Sequence, residues 1–486
     1  MILVKRIMIA TGLTAYLTAP TARAQEAAKL QELRHHHMDI QPVQPVFPRM
    51  GRAQENAQGK LFTLDDAQHL AADSNPTLRQ AEAEIRAAKA RRQQAGLYPN
   101  PTVGYVGDEI RGGSNNGGIQ GFFIEQNIVT GGKLGKARSV FEQETRLAEL
   151  EAEEQKLRVQ NAVKTAYYRV LAAQELLDTR SDLARIEQNF AQVQRELSNT
   201  GQADESEVLE AEVDAQRARL SAHMQENTLR EEWKSLAAVI GRPELPLATV
   251  SGDLQRDWPE INEEQTIDAI AAQSPATRIA DSAAARANAE ISRAKSQAIP
   301  DLQLRGGLEY NREPLDVSPH TTGWEGAAEV AVQIPVFNRN QGNVAAANAT
   351  LERAQLEKQR VALTLRERAA TIVDEYANAK LMSLEYRDEI LPRAQKAYAL
   401  LTEKYGQMLA SYPRVLQSQR KLFQLHAEYI QSLETLWSTG IALQGFLLTD
   451  GLEAPTGPAE IDRPIRETNV PMPERTMSPL DTMPRP

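Results

Sequence analysis

The stretch GFFIEQNIVTGGKLGKAR, Gly121 to Arg138, decides how this chain is read. Aromatic and β-branched residues fill its first half, and a glycine pair then gives way to helix-forming residues. The pattern predicts a strand that runs through Gly131 and Gly132 directly into a helix, the glycines permitting the change of backbone direction. A similar junction returns about 200 residues later as AAEVAVQIPVFNRNQGNVAAA, Ala327 to Ala347.

Other landmarks recur in the same order, which points to an internal duplication. Asn75-Pro76-Thr77 opens a helical stretch as Ser274-Pro275-Ala276 does later, and Tyr98-Pro99 closes it as Ile299-Pro300 does. Gln126 and Gly135 match Gln333 and Gly342, and a break at Gly201 matches one at Gly406. The expected units are 61–250 and 251–453.

Each unit begins with two strands. Thr102–Ile110 and Ile119–Val129 flank the turn RGGSNNGG, and Asp301–Tyr310 and Glu325–Val336 flank a longer loop. Leu302, Leu304, Leu308 and Tyr310 share one face of the third strand, with Gln303, Arg305 and Glu309 on the other. In the fourth, Val330, Val332 and Ile334 alternate with Glu329, Ala331 and Gln333. Period two with one oily face suits a membrane barrel wall or a soluble sheet with one buried face. Four strands cannot close a useful bore, since the smallest barrels have about eight, so several chains would share one wall.

Beyond each junction the sequence predicts very long helices. Lys133 to about Ser198 contains no proline, on the order of 100 Å of helix. Leu183, Ile186, Phe190, Val193 and Leu197 step by three and four, a coiled-coil seam. Gly201 reads as a left-handed helix cap, and Asp204 with Glu207 as a capping box for a returning helix to about Ile240. The second unit runs from Gly342 to Tyr405 with Pro392 inside. After it, Leu416, Phe423, Ile430 and Trp437 recur every seventh residue, beside Val415, Leu422, Tyr429, Leu436 and Leu443. Two adjacent apolar columns favour a tube of helices packed on both flanks, where a simple antiparallel hairpin needs one. Strand continued by such a helix makes a wall of two materials, which is a conduit.

Composition agrees. Aromatic residues are 5% and charged residues 25% of the 486, thin material for large cores but ample for helices with narrow apolar stripes. Lys5 and Arg6, an apolar run from Ile7 to Ala19, and Ala22-Arg23-Ala24 predict a signal peptide, 1–24, cleaved after Ala24; an uncleaved anchor is the alternative. A flexible segment, 25–60, follows it, and a proline-rich disordered tail, 454–486, ends the chain. Cleavage would take the formal charge from -10 to about -13, which argues against nucleic acid as a partner. The chain has no cysteine, so no disulfide or cysteine-linked lipid.

AADSNPTLRQAEAEIRAAKARRQQAGLYPNP, the TGGKLGKAR junction, and the tips RELSNTGQADESEVLEAE and EKYGQMLASYPRVLQSQRKL resemble the TolC-like outer-membrane factors of tripartite efflux systems, more closely their cation-efflux CusC/CzcC-type branch. The resemblance spans about Leu61 to Glu453. It implies a mainly α chain with a membrane β-barrel: a homotrimer whose twelve-stranded barrel continues into a twelve-helix periplasmic tunnel. It also implies docking by the tips to a periplasmic adaptor that serves an inner-membrane RND pump. On that basis Gly201, Val208 and Leu209, with Gly406, Val415 and Leu416, are candidates for adaptor contact. Asp204, Glu205 and Glu207 are candidates for an acidic pore ring, or for a solvated helix-capping face. Gly131, Gly132, Gly135 and Gly342 mark the barrel–helix junctions. The chain departs from many relatives in lacking a lipid-bearing cysteine. Its second tip counts nine positions from Gly406 to Val415 against seven from Gly201 to Val208, and no acidic residue occurs from Lys404 to Ala427.

The residues give no sign of catalysis, a cofactor or a structural metal. TGGKLGK lacks the spacing of a phosphate loop, and Ala137 follows Lys136 where serine or threonine belongs. His35, His36, His37 and Met38 suit a soft or borderline metal ion, but a chance cluster in a polar lead segment explains them as well. The reading is a passive outer-membrane exit duct for heavy-metal cations. Its rivals are the same duct for drugs or secreted proteins, and a pore-less periplasmic coiled-coil scaffold.

Overall fold

The computed structural model describes residues 61–108, 118–312 and 323–454. The expected signal peptide, the lead segment with His35–His37 and Met38, the tips of both strand loops and most of the proline-rich tail lie outside the described residues. In chain order the elements are α1 (Leu64–Ser74), α2 (Pro76–Ala95), β1 (Thr102–Asp108), β2 (Ile119–Ile128), α3 (Lys133–Asn199) and α4 (Glu205–Ile240). They recur as α5 (Glu263–Gln273), α6 (Pro275–Ser296), β3 (Leu302–Asn311), β4 (Gly323–Val332), α7 (Gln341–Glu385), α8 (Leu391–Gly406) and α9 (Tyr412–Gln444).

Local chemistry sets the short helices. Thr63 and Asp66 form a reciprocal capping box before α1, each side chain accepting the other's backbone N–H at 3.1 and 3.3 Å. Asn75 caps α2 by accepting the Thr77 N–H at 2.9 Å, with Pro76 where a missing N–H costs nothing. Ser274 and Pro275 do the same for α6, Ser274 accepting from Thr277 at 3.2 Å.

The four strands form one antiparallel sheet in the order β1-β2-β3-β4. The β2–β3 pairing, from Ile119 opposite Asn311 to Ile128 opposite Leu302, joins the two units and leaves β1 and β4 as open edges. The fourth strand starts two residues before the expected Glu325 and ends at Val332, so Ile334 and Val336 lie in the connection to α7.

The spine is α3, 67 residues and about 100 Å long. It packs on α2 and α6 over its sheet-proximal half and on α4 and α9 over the rest; α7 packs on α6, then on α9. Both apolar columns of α9 are buried along their whole length, as the double seven-residue repeat requires. The linker between the units wraps this stem: Phe62 bridges Val250, and the Tyr167 hydroxyl donates to the Phe62 carbonyl at 2.9 Å. The Trp437 ring N–H donates to the Leu254 carbonyl at 2.8 Å, while its face stacks on Tyr168 at 4.0 Å.

The helix expected from Gly342 to Tyr405 is interrupted. A wide π-type turn occupies Tyr386–Ile390, where the Leu391 N–H reaches back to the Tyr386 carbonyl. The cause is Pro392, which has no N–H to give and would collide with the carbonyl four residues earlier; one wide turn makes room for it.

Candidate functional site

The sheet has two chemically different faces. Register places Tyr105, Phe122 and Leu308 on one face in a row, followed by Val103 and Ile124 one step along. These side chains are exposed, as are Trp324, Val330 and Val332 on the same face. The opposite face carries the row Glu125, Arg305 and Glu329, with the Arg305 guanidinium 4.0 Å above the Phe123 ring. A soluble sheet would bury its oily face; here no described element covers it.

At the first junction Gly131 and Gly132 both take φ +66°. A Cβ on Gly131 would sit 2.8 Å from Ile299, so that position is closed to any side chain by both conformation and space. The junction is latched to the α6–β3 linker. The Thr130 N–H donates to the Asp301 carboxylate at 2.9 Å, its hydroxyl donates to the Pro300 carbonyl, and Lys133 pairs with Asp301 at 2.9 Å. In the second unit the residue equivalent to Gly132 is Asn340, at φ +60°, ψ +23° against +66°, +21°. Gly135 and Gly342 therefore do not perform the change of direction. Both lie within the first turn of a helix, and a Cβ on either would meet nothing within 4 Å.

The two helical tips share one geometry. After α3, the Gly201 N–H donates to Ser198 at 2.9 Å and the Gln202 N–H to Leu197 at 2.9 Å, a Schellman closure around left-handed Gly201. After α8, the Met408 N–H donates to Tyr405 at 2.9 Å and the Leu409 N–H to Lys404 at 2.8 Å, with Met408 at φ +59°. Gly406 is thus the last residue of α8, and the break it was expected to make belongs to Met408. Counted from there, both tips have seven positions to the equivalent valine, so the length difference read from Gly406 disappears. Asp204 is the N-cap of α4, but its side chain makes no cap hydrogen bond; the expected box with Glu207 is absent, and the Glu207 N–H bonds to the Asp204 carbonyl instead.

The candidate contact residues divide by exposure. Val208, Val415 and Leu416 are buried, Leu416 in a cluster with Ile186, Phe190 and Phe423 that cements the two hairpins. Leu209 is 55% exposed in the first tip, and in the second Met408 and Leu409 are exposed to 82% and 73%. Those two were not singled out in the sequence; counting seven positions back from Val415, as Gly201 stands seven before Val208, reaches Met408. Asp204, Glu205 and Glu207 are all exposed.

Behind the tips one cation holds three helices. Arg420 of α9 forms a two-pronged pair with the buried Glu187 of α3 and reaches Asp214 of α4 at 2.8 Å. These residues are far apart in sequence and carry no motif. Among the described residues no group of three or more His, Asp or Glu is placed to hold a metal ion, and no helix is long and apolar enough to cross a membrane.

The sequence matches the family described as Outer membrane efflux protein over residues 67–242 and 266–446, one block in each unit. It is 24% identical over 407 residues to the cobalt-zinc-cadmium resistance protein CzcC of Cupriavidus metallidurans, covering 83% of this chain and 92% of that protein. The fold is similar to that of CusC, with a TM-score of 0.64 at 17% identity, covering 83% of this chain and 97% of CusC. It is also similar to that of VceC of Vibrio cholerae, with a TM-score of 0.61 at 18% identity, covering 80% of this chain and 97% of VceC. A match that covers most of both repeated blocks, on a sheet-to-helix wall of this form, makes the chain a member of the outer membrane efflux protein family.

Proposed function

We propose that this protein is the outer-membrane exit duct of a tripartite RND-type efflux assembly, passive in itself and carrying heavy-metal cations. One observation carries the reading: a four-stranded sheet, oily on one face, charged on the other and open at both edges, passes through short connections into long helices, the longest about 100 Å. Three copies closing edge to edge give twelve strands and put the row of Glu125, Arg305 and Glu329 in the lumen, with the apolar face toward outer-membrane lipid. From Trp324 to Val332 the strand is about 26 Å long, and nine residues is the lower end of the length a tilted strand needs to cross a membrane, about 9–11. A pore-less scaffold would have no use for an uncovered apolar sheet face.

The stem reaches into the periplasm, where the tips meet an adaptor protein that couples the duct to the inner-membrane pump. The protein arrives there by a cleaved signal peptide. The likeness to CzcC supports metal cations as cargo. Three exposed carboxylates per chain, Asp204, Glu205 and Glu207, form rings at the periplasmic mouth that attract cations.

The test is reconstitution of the mature chain. It should run as a heat-modifiable trimer, conduct in planar bilayers, and shift its reversal potential away from cation preference when the three tip carboxylates become amides. A chain that stays monomeric and silent sinks the duct. Loss of the gene should lower tolerance to cobalt, zinc or cadmium; unchanged metal tolerance with new drug sensitivity would reassign the cargo.

A further inference from the structure

The ends of the helices that meet the sheet form a basic collar. The segments 88–101, 129–141, 289–301 and 333–345 contain nine lysines and arginines against two acidic residues, Glu290 and Asp301, in a chain of formal charge -10. Both acids are already engaged: Asp301 pairs with Lys133 at 2.9 Å and Glu290 with Arg293 at 3.1 Å. Arg91 and Arg92 pair further down the stem with Glu84 and Glu142. Lys136, Arg138, Lys295 and Arg339 make no ion pair among the described residues. Arg138, Lys295 and Arg339 are exposed and Lys136 is half-buried.

Helix dipoles explain only part of this placement. A cation at a helix C-terminus is favourable, which accounts for Arg92, Arg293 and Lys295 at the ends of α2 and α6. Lys136 stands in the first turn of α3, which holds no acidic residue, and Arg339 precedes the start of α7, while Arg138 lies beyond that turn with its side chain against Gly96 at the end of α2. At Lys136 and Arg339 the dipole opposes the charge, so an anion from outside the chain is favourable there. At the same level the connections expose Tyr98 and Phe337, at 69% and 91%, together with Leu97, Ile299, Ile334 and Val336. Aromatic and apolar groups beside long basic side chains are the pairing that a lipid–water boundary selects.

We propose that this collar binds the phosphodiester headgroups of anionic phospholipids in the leaflet facing the periplasm, fixing how deep the barrel sits. The proposal rests on the sheet being a lipid-embedded wall. Charge and apolar groups at one level fit a lipid surface better than a soluble anion, which has no use for Phe337 or Tyr98.

The experiment reconstitutes the full mature chain into phosphatidylcholine vesicles with and without phosphatidylglycerol, and compares it with a variant carrying Lys136→Gln, Arg138→Gln, Lys295→Gln and Arg339→Gln. Conductance in pure phosphatidylcholine reads the duct alone, so its absence there counts against the duct and not against headgroup choice. Wild type should retain phosphatidylglycerol over phosphatidylcholine by about tenfold among lipids that stay with the delipidated trimer, and the variant should lose that preference while still conducting. Free inorganic phosphate should not compete. Equal retention of both lipids by wild type overturns the proposal. So does a variant whose lipid preference is unchanged but whose reversal potential moves, because the four cations would then line the lumen.

Discussion

Gly201 and Met408 occupy one position in two turns of the same conformation, at φ +73° and +59°, each three residues before the N-cap of the returning helix. One has the residue that backbone geometry favours and the other does not. A left-handed methionine costs about 1 kcal/mol or more relative to glycine. Met408→Gly should therefore strengthen the second tip by about that amount, and Gly201→Ala should weaken the first by a similar one. Hydrogen exchange at the amides of Leu409 and Gln202, which close the two turns, checks both changes; equal exchange in wild type and variant would remove the argument.

The exposed leucines of the two tips bear on docking. Leu209→Asp and Leu409→Asp should each weaken capture of the cognate adaptor tenfold or more while leaving the trimer's melting temperature unchanged, about the loss of one buried apolar side chain. Val208→Ala should do the reverse, lowering hairpin stability with little effect on capture, because its side chain is already buried. Surface plasmon resonance with immobilised adaptor, paired with a thermal melt, separates the two behaviours.

At the junction, Gly131→Ala should be far more damaging than Gly132→Asn. The first adds a methyl 2.8 Å from Ile299 at a left-handed residue. The second installs the residue found at the equivalent Asn340. The yield of heat-modifiable trimer on refolding is the readout, with near-complete loss expected for Gly131→Ala and near-wild-type yield for Gly132→Asn.

Arg420→Leu should leave Glu187 as an uncompensated buried carboxylate and cost about 2 to 4 kcal/mol, the lower part of the usual range because the arginine is one-third exposed. Arg420→Lys should recover only part of this, since lysine cannot reproduce the two-pronged contact. Adding Glu187→Gln to Arg420→Leu should restore much of the loss. Urea denaturation of the isolated variants, followed by far-ultraviolet circular dichroism, measures all three.

Buried His426 and half-buried Glu175, on helices that pack together, give the stem opposed pH dependences. Burial lowers His426 to about 4, and neither ring nitrogen has a hydrogen-bond partner. An unfolded histidine titrates near 6.5, so its contribution is intact above that value and is lost as pH falls toward 4, up to about 3 kcal/mol. Glu175 is raised to about 7, first by burial and then by Asp253 and Asp178. Its folded form holds a proton that the unfolded chain has released, so its contribution is present below about 4.5 and lost as pH rises through 7. His426→Leu should flatten the acid side of a stability–pH curve, and Glu175→Gln the neutral side. A thermal-shift series across that range tests each; parallel curves for wild type and His426→Leu would refute the first.

The sheet was legible because period two needs only local sequence; which residues share a face follows from it, but the register does not, because a slip of two residues keeps every oily residue on its face. The apolar columns of α9 were legible for the same reason, their seven-residue spacing being unbroken from Val415 to Leu443. The tips were half legible. Gly201 announced itself, but Met408 hid behind Gly406, because glycine is the residue one expects at a left-handed position. Arg420 and Glu187 were invisible, since 233 residues separate partners that only the packing of α9 on α3 brings together. The wide turn before Pro392 follows from the proline, yet whether a helix bends, breaks or bulges there depends on the neighbours it must keep touching.

The unpaired margins of β1 and β4 have a cost before any duct exists. Until sister copies arrive, each newly exported polypeptide presents two rows of backbone donors and acceptors beside bare tyrosine and tryptophan, the very template on which wrong partners polymerise. Closure onto sister copies therefore competes with wrong pairing at these margins, and local concentration sets the balance.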